Sequence, residues 1–214
     1  MGLNTSTHSV SDVVTWVQRQ FGDESLVQIT QADIIRWLNQ AQLEVAVVAN
    51  PIQAISTTNL IPGTFTYQLP LENALNIISL RVAGTPIENM EFQTAEMKIA
   101  QEDPERTTTG KPLYWWRFAD NLYLWPTPDA ADQIEVFYYK TPAELTVATD
   151  LLGLPDKYYE AILQFVMSKA YELDEEFANS RVARQAFNDR LGITLEEDTR
   201  GSVEFYPSLT IVDY

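Results

Sequence analysis

The chain contains no cysteine and a single histidine, His8. The first absence excludes disulfide bridges, thiol catalysis and thiolate metal sites together. The second leaves a Ser-His-Asp or Cys-His mechanism dependent on one residue ahead of the first expected helix, and zinc without its usual ligands. Set in the polar stretch Met1–His8, that imidazole is expected to be solvated. The 8 glycines are scattered singly, so a glycine-rich phosphate cradle is missing too. Positive charge is scarce. Lys+Arg 14 stands against Asp+Glu 30, a formal net charge of −16, and such a surface repels nucleic acid and anionic membranes. No hydrophobic run approaches the ~18 residues of a membrane span. The first eight residues lack the basic start and apolar stretch of a signal peptide. A soluble protein made in a reducing cytosol is expected, with no membrane association.

What is present is a rich supply of core-forming side chains. Hydrophobic residues make up 45% of the 214, with 5 Trp, 10 Tyr and 9 Phe, enough for a packed interior without covalent staples. Val10, Val13, Val14, Val17 and Phe21 fall at helical spacing, with Ser9 or Ser11 as N-cap and Gly22-Asp23 as the stop. Thr30-Gln31-Ala32-Asp33 has the form of a capping box with Asp in place of Glu. Ile34, Ile35, Leu38, Ala41, Val45 and Val48 continue an apolar stripe until Asn50-Pro51 ends it. An antiparallel helix pair is expected.

The period then changes to that of strands. Residues 52–57 and 64–69 flank the turn Ile61-Pro62-Gly63. A strand over 74–83 is followed by the turn Gly84-Thr85, a short strand over 86–88 and a short helix over 94–100. Residues 101–112 show no periodicity and read as loop. Tyr114–Phe118 and Leu122–Trp125 form a hairpin across Ala119-Asp120-Asn121. In 133–140 both faces are bulky and apolar, which places that strand centrally in its sheet. Helix returns at Leu154-Pro155-Asp156, with Tyr159, Ile162, Leu163, Val166, Ala170 and Leu173 on one face. A second helix with Phe177, Ala183, Phe187 and Leu191 inward is expected to close at Gly192. The fold class is therefore α+β: a helical bundle from 1–50 and 150–192, a central antiparallel β-rich module over 51–149, and an extended C-terminal tail over 193–214. The tail, apolar and aromatic behind an acidic tether, would be an aggregation hazard if bare. It calls for shelter against its own domain or a partner.

No constellation of catalytic residues emerges. Asp174-Glu175-Glu176 and Glu196-Glu197-Asp198 lack the spacing and central glycine of a calcium loop, and a solvated face is their ordinary reading. No metal or cofactor is expected. The aromatic block Tyr114-Trp115-Trp116, with Tyr123 and Trp125, admits a stacking platform. Such platforms for nucleic acid sit in basic grooves, and here only Lys111, Arg117 and Lys140 are near. Packing is the commoner use of such residues.

The order of several segments carries more information than any one of them. Asp33-Ile34-Ile35-Arg36-Trp37-Leu38-Asn39-Gln40-Ala41-Gln42 precedes Leu122-Tyr123-Leu124-Trp125-Pro126-Thr127-Pro128-Asp129. Val136–Leu145 and Leu154–Ile162 follow. Over residues 10 to 191 this series resembles the head-to-tail adaptor (connector, or head-completion) proteins of tailed bacteriophages. The resemblance implies a non-enzymatic virion protein, made in the host cytoplasm, that forms a ring, usually of twelve copies, beneath the portal. Its partners would be the portal protein, tail (nozzle or tail-completion) proteins and other copies of itself, with DNA passing through unbound. On this reading the tail grips the portal or a neighbouring subunit through Val203, Phe205, Tyr206, Pro207, Leu209, Ile211, Val212 and Tyr214. Two other readings compete: a carbohydrate-binding module with Trp115, Trp116 and Trp125 exposed, and a tail hydrolase using carboxylates.

Overall fold

The computed structural model describes residues 6–22, 28–68, 74–119 and 121–203, with side chains as far as 197. The chain is α+β, with helices towards both ends and strands between. It divides into two compact units, one from residues 1–51 and 142–214, the other from 52–141.

In the helical unit, α1 (Val10–Phe21) and α2 (Gln31–Ala49) both start with a reciprocal capping box, Ser9 with Asp12 and Thr30 with Asp33. Each box satisfies two backbone N–H groups that a helix start leaves unpaired. Gly22 and Asn50 end the two helices in the left-handed conformation. A short 3₁₀ turn over Asp156–Tyr158 leads into α4 (Tyr159–Leu173), and α5 (Phe177–Val203) packs along it. The α4–α5 seam is built from Phe165, Val166 and Ala170 with Ser180, Ala183, Phe187, Leu191 and Thr194, all buried.

The second unit holds one seven-stranded sheet in the order β1-β7-β3-β4-β5-β6-β2. Its strands are β1 (Gln53–Asn59), β2 (Thr66–Gln68), β3 (Ala74–Val82), β4 (Thr85–Asn89), β5 (Tyr114–Phe118), β6 (Asn121–Trp125) and β7 (Gln133–Lys140). Helix α3 (Phe92–Glu102) lies between β4 and β5 in sequence. β1 and β2 occupy opposite edges of the sheet, yet they are neighbours in the chain. A flat sheet would part them by about 29 Å, whereas the link from Asn59 to Thr66 stretches to about 25 Å at most. The sheet must therefore curl. Inside the curl sit Tyr67, Leu80, Val82, Ile87, Trp115, Leu122, Leu124, Ile134, Val136 and Tyr138, one or more from every strand but β1, whose Ala54 packs on their edge. On the opposite face of the β5–β6 hairpin, Trp116 is sealed by Ala95 and Ile99 of α3.

Several expectations are corrected. α5 does not close at Gly192 but runs to Val203, so residues 193–203 are helical and not an extended tail. Gly192 costs about 1 kcal/mol relative to alanine, and the buried Leu191 and Thr194 on either side of it hold the helix in place. Phe177, Leu173 and Val48, assigned inward, are exposed, and Ile35 is half-buried. The sheet is antiparallel except for one short parallel contact, Glu88↔Tyr114 and Asn89↔Trp115. A crossover through α3 is what allows it. His8 is not simply solvated: its ring stacks on Tyr159 with centroids 3.7 Å apart.

One glycine position is sterically closed. A Cβ on Gly153 would meet Pro142 Cβ at 2.8 Å and Gln42 Oε1 at 3.3 Å, while the Gly153 N–H donates to Gln42 Oε1 at 2.6 Å. Gly153→Ala is expected to destabilise the chain by about 1–3 kcal/mol, the usual cost of overpacking. Chemical denaturation checks this, and a change below about 0.5 kcal/mol would contradict the crowding.

Candidate partner-docking surfaces

The tail residues expected to grip a partner are placed as follows. Val203 is the last residue of α5. Phe205, Tyr206, Pro207, Leu209, Ile211, Val212 and Tyr214 lie outside the described residues. What the structure does display is exposed apolar side chain on several regular elements, among them α2, α5 and β1.

The first is α2. Its inner face buries Ile34, Leu38, Ala41 and Val45, and its outer face leaves Leu43 and Val47 each at least half exposed. Ala32, Ile35, Arg36, Asn39, Gln40 and Leu43 form one wall of an open groove, and Glu144, Leu145 and Thr146 form the other. Asn39 holds the second wall in place: its Nδ2 donates to Leu145 O at 2.9 Å, and its Oδ1 accepts from Leu145 N–H at 2.8 Å. One turn on, Gln42 receives Gly153. Reading the sequence for stripes passes over these two amides, although a polar Gln42 between the buried Leu38 and Val45 is a signal that a backbone segment must meet it.

The second element is α5, where Phe177, Val182 and Ile193 are exposed on the outer surface. Arg184 on the same helix forms an ion pair with Glu44 of α2. Its guanidinium lies over the rings of Phe165 and Phe187, at 4.8 and 5.0 Å. The third is the edge strand β1, with Ile55 62% exposed at its centre.

Charge is unevenly shared. Segments 1–51 and 142–214 together hold 19 Asp and Glu against 8 Lys and Arg, −11 of the −16. Many cations are already engaged: Arg36 with Asp33, Lys98 with Glu102, Arg106 with Glu96, Lys169 with Glu172 and Arg184 with Glu44. Among the described residues, no group of three or more His, Asp or Glu could hold a metal ion. No described helix is long and apolar enough to cross a membrane.

Four aspartates organise turns, and each is held below its ordinary pKa of 3.8. For Asp12 the chief cause is the backbone N–H of Ser9, and then its hydroxyl. For Asp103 burial pushes upward, but the N–H and hydroxyl groups of Thr108 and Thr107 outweigh it. Asp150 is stabilised by the N–H groups of Thr146 and Val147. Asp156 is stabilised by the Ser6 hydroxyl and then by the Thr7 N–H and hydroxyl. It thereby ties down residues 6–9, which also pair with the chain near Leu151. A carboxylate whose folded pKa is depressed contributes stability above its unfolded pKa and loses it as pH falls through the folded pKa. The stability gap between the native chain and Asp156→Asn is therefore expected to be full at pH 5–7. It should close progressively below about pH 4. Thermal melts of both proteins at constant ionic strength read this gap, and one that widens on acidification would refute the assignment.

The aromatic hairpin does not offer a sugar platform. Trp115 and Trp116 are 4% and 1% exposed. Half-buried Trp125 stacks on Tyr114, with Lys98 over both rings. These rings pack the curled sheet and the α3 seam, which removes the carbohydrate-binding alternative.

No curated protein matches the chain. The family model described as SU10 adaptor protein matches residues 9–206, reaching into both units and covering the whole of α5. An acidic α+β chain whose hairpin residues Trp115 and Trp116 are buried, and which displays apolar groups on helix and strand surfaces, thus belongs to the SU10 adaptor protein family, a family of phage head-to-tail adaptors.

Proposed function

We propose that copies of this chain close into a ring beneath the portal of a tailed phage, extend its DNA channel and join it to the tail proteins. The observation that carries this reading is the family match across residues 9–206. It supports a structural part of the virion, with other proteins, and not small molecules, as ligands. Exposed apolar groups on α2 and on α5 provide two unlike surfaces. Head-to-tail contact between unlike surfaces is the kind that closes into rings.

The charge suits a conduit. A twelve-membered ring would carry about −192, a charge that repels phosphates. Screening confines that repulsion to about 8 Å at physiological ionic strength, so it acts only where DNA passes close to the wall. In this reading the tail from Val203 to Tyr214 fastens each copy through Phe205, Tyr206, Leu209, Ile211 and Tyr214.

The test is assembly on portal particles. Purified protein mixed with them is expected to add the mass of a full ring, with density continuous with the portal channel. Particles that emerge with unchanged mass across a range of protein concentrations would sink the proposal.

A further inference from the structure

The β1 strand is an unguarded sheet edge. It pairs with β7 alone, in an unbroken register of seven residues from Gln53↔Tyr139 to Asn59↔Gln133. Just beyond its two ends, Lys140 N–H donates to Ile52 O at 2.9 Å and Leu60 N–H donates to Asp132 O at 2.8 Å. Inward hydrogen bonding in an antiparallel pair recurs at every second residue. Ala54, Ser56 and Thr58 therefore turn their backbone groups to β7, and Gln53, Ile55, Thr57 and Asn59 turn theirs outward. Among the described residues, those outward N–H and C=O groups meet no partner.

Proteins commonly blunt such edges with lysine, proline, a bulge or brevity. The other edge, β2, is three residues long. β1 has seven, Gln-Ala-Ile-Ser-Thr-Thr-Asn, with no charge, no proline and no bulge, in a chain that is 21% charged.

We propose that this edge receives residues 208–214 of a second copy as an added strand. The inference rests on the ring reading above and specifies one contact within it. Ser208-Leu209-Thr210-Ile211-Val212-Asp213-Tyr214 is rich in residues that favour strands. Pro207, lacking an N–H, marks where such a strand must begin. Its seven residues match the seven of β1, and it carries one charge, Asp213, against a β1 that carries none. Main-chain bonds supply the affinity in strand addition, and alternate side chains supply the register. Donor and acceptor lie at different places in every copy, so the contact propagates from one subunit to the next.

The absence of native cysteine makes a direct test clean. Full-length Ile55→Cys and Ile211→Cys variants are purified separately, mixed, and treated with a short thiol cross-linker, in solution and on portal particles. A cross-linked dimer that requires both variants is expected. Thr57→Pro removes an outward N–H while sparing the ladder to β7, and introduced into the Ile55→Cys partner it should cut the yield about tenfold. Thr57→Val should leave the yield intact, and circular dichroism verifies that each variant is folded. Absence of the mixed dimer, or dimers that form equally from either variant alone, would overturn the proposal. If portal particles gain their ring mass while Thr57→Pro changes nothing, the strand contact fails and the adaptor reading stands. If no variant binds portal particles, it is the adaptor reading that fails.

Discussion

Replacing Phe187 with alanine is expected to lower the stability of the chain by about 3–5 kcal/mol, the range seen when a buried aromatic is truncated. Phe187 is 1% exposed at the centre of the α5 stripe. It meets Phe165 of α4 edge to face, with centroids 5.4 Å apart, a geometry worth about 0.5–1.5 kcal/mol beyond the area it buries. The Arg184 guanidinium rests on both rings, so truncation also loosens the residue that pairs with Glu44 on α2. Urea unfolding followed by helical circular dichroism measures the loss. Phe177→Ala, on the same helix but exposed, serves as the control and should change stability by no more than about 0.5 kcal/mol. Equal effects from the two substitutions would mean that α5 packs on α4 in a different phase.

A comparable cost, about 3–5 kcal/mol, is expected for Trp116→Ala, with a different local signature. Trp116 stacks on Tyr123 at 5.6 Å and forms the floor on which Ala95 and Ile99 of α3 rest. Its indole N–H is buried without a hydrogen-bond partner, so removing it relieves a small polar penalty that partly offsets the lost packing. Without that floor α3 loses the buried surface beneath Ala95 and Ile99, and its N-cap, Glu91, makes no side-chain capping bond. Amide hydrogen exchange across Phe92–Glu102 should therefore accelerate well before global unfolding. Protection unchanged in this helix would show that α3 is held by something other than Trp116.

How much of this was legible in the residues depends on the range of the interaction concerned. Ser9, Asp12, Thr30 and Asp33 announce their helices because capping is completed within four residues. The β5–β6 hairpin and the interior place of β7, between β1 and β3, follow from local turn chemistry and from apolar residues on both faces. The strand order did not follow. That β2 closes the far edge, and that β4 meets β5 in parallel, are decided by the curl of the sheet and the crossover through α3. Gly192 misleads because a glycine stops a helix only when no packing on either side holds it. On α2, Ile35, Leu43, Val47 and Val48 look as apolar as the buried Ile34 and Leu38. Which of them faces outward is set by the helix's neighbours, so the docking stripe could not be separated from the core stripe by periodicity. The aromatic hairpin could be read as packing or as platform, and only burial decided it.

The length of α5 has a mechanical consequence. Its last buried residue among those described is Thr194, but the helix runs on to Val203. Those nine residues span about 13 Å as helix and about 30 Å when drawn out. A free helix of that length has little stability of its own in water, so these last turns depend on being continuous with the rest of α5. Unwound, they would lengthen the chain by roughly 17 Å.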